Sequence, residues 1–276
     1  MKARTAVIAV PYAWLAFAFL APFLIVLRLS FAEMDPAGIP HLALNFANYL
    51  FIARDELYVL TYLSSIKYAA LTTALCLLIG YPFAYFMSRA KPSLRPVLLM
   101  MVMLPFWTSF LLRIYAWKGI LANHGIVNHA LIALGVIGEP LHMMNTPFSL
   151  VVGMVYAYLP FMILPLYANL VKMDMRLLEA AADLGATPLQ AFWRITVPLS
   201  KSGIVAGAML VFIPAVGEYV IPELLGGPGT LMIGKVLWDE FFTNNDWPLA
   251  SAVTVVVILL ILVPMAVFNK YKAEQP

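Results

Sequence analysis

The chain has 276 residues, 63% of them apolar and 11% charged, against about 45–50% and about 25% in an average soluble domain. So few polar side chains cannot clothe a water-facing surface, which excludes soluble enzymes, nucleic-acid modules and disordered linkers. The formal charge of +3 says less than its distribution. The single cysteine, Cys76, cannot close an internal disulfide, and no Cys/His set has the spacing of a zinc site.

About 20 mainly apolar residues cross a bilayer as a helix. Thr5–Leu27 is the first such run. Lys2 and Arg4 resemble the basic start of a secretory signal, but 23 apolar residues exceed the roughly 7–15 of a signal core, so a retained span is expected. Tyr68–Ser88, between Lys67 and Arg89, is the second. Pro96–Leu112 is shorter and runs through Arg113 into Ile-Tyr-Ala-Trp at 114–117, which predicts an interfacial end. Pro140–Val171 is longer than one span, so the helix is placed at about 148–171. Ser202–Gly217 must extend past Glu218 to reach full length, and Trp247–Asn269 is the last. Gly119–Gly138 carries Asn123, His124, Asn128, His129 and four glycines; a short helix at or dipping into the outer face is expected there.

Basic residues orient the chain. With six spans and both ends inside, the inner segments hold Lys2, Arg4, Arg89, Lys91, Arg95, Lys172, Arg176, Arg194, Lys201, Lys270 and Lys272. Only Asp174, Glu179, Asp183 and Glu274 of the 14 acids join them. That Lys/Arg excess puts the amino end in the cytoplasm. A seventh span would move the basic Lys172–Lys201 loop or the basic tail outside. The expected organisation is a first helix with its outer loop over 1–63, carrying turn signals at Asp35-Pro36-Ala37-Gly38. A five-helix core over 64–269, with an inner loop at 173–199, and a cytoplasmic tail at 270–276 complete it.

That inner loop reads Met173-Asp-Met-Arg-Leu-Leu-Glu-Ala-Ala-Ala-Asp-Leu-Gly-Ala-Thr-Pro-Leu-Gln-Ala-Phe-Trp-Arg-Ile-Thr-Val-Pro198. Residues 174–184 are strong helix formers, and Gly185 stands where such a helix stops. Pro188 suits the first turn of a second helix ending before Pro198. Small Ala180, Ala181 and Ala182 permit close approach, Leu177, Leu184, Phe192 and Trp193 offer apolar contact, and Glu179 and Arg194 are placed to fix orientation at the rim. On physics alone, a protrusion docked into another protein and an amphipathic pair lying on lipid fit equally.

Glu179-Ala180-Ala181, three residues, Gly185, nine residues, Ile195, one residue, Val197-Pro198 resembles the coupling motif of binding-protein-dependent ABC importer permeases, whose pattern has Leu where Val197 stands. The resemblance implies that this helix sits in a cleft of an ATP-hydrolysing subunit and transmits its closure to the membrane. Nearly the whole chain also resembles permease subunits of polyamine importers, a putrescine transporter's in particular, through Leu104–Trp117, Val211–Pro228 and Asp239–Pro248. The resemblance implies an all-α integral membrane protein with a MetI-like ABC type-1 transmembrane domain in the inner membrane. It also implies a second homologous permease, an ATPase dimer and a periplasmic binding protein as partners.

A short polyamine carries an ammonium at each end, so its path needs carboxylates and aromatic faces, the latter worth about 0.5–2 kcal/mol each. Trp107, Tyr115, Trp117, Glu218, Tyr219, Glu223, Asp239, Glu240, Asp246 and Trp247 supply those types. Glu218 lies 16 residues beyond Ser202, about 24 Å along a helix, where an acid must face a cavity or a partner such as Arg113. Trp14, Tyr81 and Trp247 read as membrane-boundary anchors. His124 and His129 share no helix face, so no metal is expected, and no cofactor either. No Gly-rich phosphate loop followed by Lys-Ser/Thr occurs, so ATP must be hydrolysed by another chain. A permease for spermidine or another small cation and an ion-coupled secondary carrier are the alternatives. The carrier gives no reason for the spacing around Glu179. An intramembrane protease lacks paired Asp, Ser/His or zinc ligands.

Overall fold

The computed structural model describes residues 2–35 and 38–273, with side chains over 9–35 and 38–262. Pro36 and Ala37 of the expected turn, and Glu274 of the tail, lie outside the described residues. The chain divides into two units, one formed by 1–62 with 234–276 and the other by 63–233. The described residues form fourteen α-helices, α1 to α14 in chain order. Strand structure among the described residues is confined to one short antiparallel hairpin, Glu33–Met34 with Pro40–His41.

In the first unit, α1 (Lys2–Leu29) packs on α14 (Trp247–Ala273). The carbonyls just beyond the end of α1 are answered from the loop that follows, where α2 (Ala47–Arg54) docks. The Asn48 amide donates to Ser30 O at 3.2 Å and Ala32 O at 2.9 Å, and the Ser30 and Tyr49 hydroxyls meet at 2.6 Å. Phe31 and Phe46 stack edge-on at 5.2 Å beside them. The loop is therefore ordered by satisfying the helix end.

α3 (Glu56–Arg89) begins twelve residues before the expected Tyr68. At 34 residues it is about 51 Å long, well beyond the ~30 Å hydrocarbon core. The expected start rests on the charge of Lys67, yet the stretch before it carries Leu57, Tyr58, Val59, Leu60, Tyr62, Leu63 and Ile66, so the helix continues through a single charge. Asp55 opens the extension, its carboxylate accepting from Leu57 N at 2.8 Å.

The second unit is built around α7 (Pro147–Leu170), which matches the expected 148–171 closely. Pro147 opens it and Thr146 with Ser149 forms a reciprocal capping box. α11 (Lys201–Val216) lies along α7 through glycines. A Cβ on Gly207 would stand 2.7 Å from Met162 Sδ and 3.1 Å from Met162 O, and one on Gly203 would stand 2.8 Å from Asn169 Cβ. Without a hydrophobic drive in lipid, such close backbone contact is what holds spans together. Gly80 of α3 meets Met162 and Ile163 in the same way, around a core of Met154, Met162, Leu166, Leu170 and Val211.

The third apolar run is broken. α4 (Arg95–Met103) tightens into a 3-10 turn over Leu104–Trp107, and α5 (Phe110–Ile120) leaves at 88°. Pro105 supplies no amide and Thr108 is extended, so the ladder stops there. α6 (Ile126–Ala133) is the short helix expected within Gly119–Gly138; at eight residues it is about 12 Å long and cannot span. Asn128, 1% exposed, closes this loop by bonding Leu141 N and O and Ala122 O.

α11 does not extend past Glu218. It stops at Val216, and α12 (Val220–Leu225) starts after the turn. Pro214 removes one ladder donor and Gly217 favours termination, while the Glu218 side chain caps the next helix. α12 packs on α5 and α7. Among the described residues, three helices are long and apolar enough to cross a membrane, and up to five if each bent pair is one span. α13 (Ile233–Trp238) and a wide turn over Asp239–Thr243 lead to α14.

Candidate functional site

The 173–199 loop is a helix, a bend and a second helix. α8 (Arg176–Asp183) ends in a paired closure: Gly185 N bonds Ala182 O at 2.9 Å and Ala186 N bonds Ala181 O at 2.9 Å. That geometry needs a left-handed residue, and Gly185 has φ +79°. Nothing crowds its missing Cβ, so glycine is there for conformation. Thr187 and Gln190 then form a capping box over α9 (Pro188–Ala191), worth about 1 kcal/mol. Its Thr-x-x-Gln spacing is local to the sequence.

The second helix does not end before Pro198. It runs from α9 through a π turn over Phe192–Thr196 into α10 (Val197–Leu199), which contains Pro198. Val197 N bonds Phe192 O, five residues back. The widened turn lets the proline ring follow without meeting a tightly wound carbonyl. The chain bends by 64° between Leu199 and Lys201.

The faces of this protrusion are divided. Glu179 and Ala180 are exposed, as are Leu184 (89%), Leu189 (69%) and Trp193 (62%). Ala181 is 7% exposed, its small side chain turned into its own chain, where α8 packs on α9. Gly185 and Pro198 are exposed and Ile195 is partly covered. Phe192 faces inward instead, edge-on to Tyr81 at 5.6 Å and Tyr85 at 6.2 Å of α3. Tyr81 is 8% exposed and shares a 2.8 Å hydrogen bond with the buried Ser200 at the bend. Tyr81 is therefore a packed residue tying α3 to the protrusion, not a boundary anchor. No one-dimensional signal pairs residues 119 positions apart.

At the other end of α11, Glu218 Oε1 accepts from Val220 N at 3.0 Å and Ile221 N at 3.4 Å, and Oε2 accepts from the Tyr158 hydroxyl. The carboxylate caps α12 and ties it to α7. Arg113 is not its partner. The guanidinium lies over Phe106 at 5.3 Å and Phe110 at 5.7 Å, with Nε enclosed and without an acceptor. Ring faces give about 0.5–2 kcal/mol, less than the several kcal/mol lost by desolvating an ion. Phe106, Phe161 and Tyr158 form a run of ring contacts at 5.3 and 6.2 Å leading to Glu218.

Trp107 (80%) and Tyr115 (53%) are exposed, Glu223 is exposed, and Tyr219 is part-covered beside Glu218. Trp117 stacks on Tyr156 at 5.4 Å. Asp239 and Glu240 belong to the first unit. Asp239 pairs with Lys235 at 3.0 Å, and Glu240 accepts from the Tyr58 hydroxyl at 2.6 Å and Asn244 at 2.8 Å. Asp246 caps α14 through Leu249 N at 3.0 Å. Most of these acids thus hold local structure as well as charge.

A family model described as binding-protein-dependent transport system inner membrane component matches residues 76–271. The spermidine/putrescine transport system permease protein PotB of Haemophilus influenzae is 41% identical over 274 residues, covering 99% of this chain and 95% of that protein. PotB of Escherichia coli is 41% identical over 254 residues, covering 91% and 92%. Among solved structures, a bacterial ABC transporter involved in the import of the acidic polysaccharide alginate matches with a TM-score of 0.70 and 19% identity. That match covers 99% of this chain and 97% of its own. At that identity the likeness concerns the fold.

Proposed function

We propose a substrate and a mechanism from one premise: the chain belongs to the inner membrane components of binding-protein-dependent transport systems. It is a multi-pass, mostly helical permease of MetI-like type and is not itself an enzyme, the ATPase being a separate chain. The finer reading is a permease subunit of a polyamine importer, with putrescine as the first candidate and spermidine the second. Identity of 41% over nearly the full length of a spermidine/putrescine permease supports it. Six spans with both ends in the cytoplasm follow from the basic residues of the inner segments. The partners are a second homologous permease, an ATPase dimer and a periplasmic polyamine-binding protein.

The observation that carries the mechanism is the division of the 173–199 protrusion. One side offers Glu179, Ala180, Leu184, Leu189 and Trp193 outward. The other is held to α3 through Phe192 and Ser200. A partner gripping the outward side moves α3 and the 64° bend before α11 together. ATP binding draws the protrusions of the two permeases together, and the pathway turns from inward-open to outward-open. The candidate polyamine contacts are Trp107, Tyr115, Glu218, Tyr219 and Glu223 in the second unit and, separately, Asp239 and Glu240 in the first, and hydrolysis resets the assembly. The test is reconstitution of the full complex with putrescine or spermidine on the loaded binding protein. Stimulated ATP turnover and uptake are expected. Neither polyamine stimulating turnover would overturn the substrate reading, and transport by this chain alone under an ion gradient would overturn the mechanism.

A further inference from the structure

Threonine hydroxyls within the long helices of this chain share one solution. Thr61 donates to Leu57 O at 2.5 Å, Thr73 to Ala69 O at 2.7 Å and Thr254 to Ala250 O at 2.9 Å, each four residues back. Thr196 departs from it. The residue is 1% exposed, and among the described residues its Oγ1 is the one buried hydroxyl oxygen without a partner. Thr196 ends the π turn, and the carbonyl four residues back, Phe192 O, takes Val197 N instead. A buried hydroxyl left unpaired is a standing cost. Winding the turn to the α form removes that cost. Val197 N then moves to Trp193 O, and Phe192 O is presented to the Thr196 amide and hydroxyl, as in the other three threonines. Pro198 opposes the change, because in a tight turn its ring meets the carbonyl four residues back, that of Arg194. The two residues bias one turn in opposite directions.

We propose that the turn over Phe192–Thr196 is a two-state joint, π in the form described here and α when the partner ATPase closes on the protrusion. Thr196 is the positioning residue that holds the α form. The proposal rests on the permease reading, which supplies the closing partner. Removing the extra residue of a π turn rotates the chain beyond it by one helical step, about 100°. Ser200 lies beyond the turn, so its hydroxyl leaves Tyr81. Phe192 opens the turn and keeps its ring contacts with Tyr81 and Tyr85. One hydrogen bond is exchanged for another while the start of α11 at Lys201 swings, which gives the switch two discrete positions.

The experiment uses the complete complex in lipid nanodiscs, with fluorotyrosine in place of Tyr81 as a reporter of the Ser200 bond. Fluorine NMR is expected to show one resonance without nucleotide and a second with a non-hydrolysable ATP analogue. Thr196→Val keeps the outline of the side chain and loses the hydroxyl. Its unfolding midpoint should match or exceed the parent's, since an unpaired group is gone. The second resonance should disappear, and putrescine uptake should fall about tenfold with ATP turnover retained. Thr196→Ser keeps the hydroxyl and restores both. Pro198→Ala frees the turn to tighten and should show the second resonance without nucleotide. A single resonance in both nucleotide states, or wild-type uptake by Thr196→Val, overturns the proposal. Failure of the permease reading shows separately: the unsubstituted complex then transports neither putrescine nor spermidine, whatever the fluorine signal does.

Discussion

The Tyr81 and Ser200 hydroxyls lie 2.8 Å apart, which ties a long membrane helix to the bend where the 173–199 protrusion joins α11. With Phe192 set between Tyr81 and Tyr85, the protrusion has a polar and an aromatic attachment to α3. Displacement of one is felt by the other, because packed interiors shift between discrete arrangements and do not stretch.

Tyr81→Phe removes the hydrogen bond and leaves the ring contact. A net loss of about 1 kcal/mol is expected, with folding preserved. Uptake should fall several-fold while ATP turnover by the complex persists, since grip remains and transmission weakens. Parallel assays of turnover and putrescine accumulation in proteoliposomes check this.

Gly185 has φ +79° with open space around its Cα. Gly185→Ala should cost about 1 kcal/mol and reduce uptake modestly. Gly185→Asn, which tolerates that conformation, should do less. Gly185→Pro cannot adopt it and should abolish uptake while the protein still inserts. The graded order Asn, Ala, Pro in a transport assay tests that conformation is what matters.

Glu179 is exposed at the start of the protrusion. Glu179→Lys reverses a rim charge without disturbing any internal contact, so insertion and thermal stability should match the parent. Uptake and co-purification of the ATPase should be lost. Wild-type transport by this variant would remove the coupling role.

Glu218 has a structural and a proposed ligand role, and two variants separate them. Glu218→Gln keeps an acceptor for Val220 N and Ile221 N but loses the charge. Its stability should change little, with a raised half-saturating concentration of loaded binding protein. Tyr158→Phe removes the other hydrogen bond and should lower the midpoint of thermal unfolding in detergent without that kinetic change. Equal effects of both on transport would mean that Glu218 only builds the turn.

The contact of Gly207 with the Met162 backbone and sulfur predicts a packing failure. Gly207→Leu forces α7 and α11 apart, at a cost of about 1–3 kcal/mol or more. Fluorescence-detected size exclusion should show loss of the monodisperse species, with Gly217→Leu, which meets open space, as the tolerant control.

Several features were legible in the residues alone. The apolar run around Leu150–Leu170, the glycine stop at 185, the short helix inside 119–138 and the asymmetry of Lys and Arg each depend on local composition or on a short repeat. The Thr187 capping box is equally local. The end of α11 was misplaced because the demand for a full-length span outweighed Pro214 and Gly217, both of them visible.

Lipid solvation and backbone chemistry act residue by residue, so the sequence by itself determined which stretches are apolar, where the basic residues cluster and where glycine must turn the chain. Partners distant in the chain were settled only by tertiary structure. Tyr158 takes Glu218, Ser200 takes Tyr81, Ala181 faces inward and Arg113 is left to rings. Each of those outcomes depends on which helix surface meets which. That is set by close packing at Gly153, Gly203 and Gly207 and by bends of 88° and 64°, where a few degrees of crossing angle change the neighbour a side chain finds.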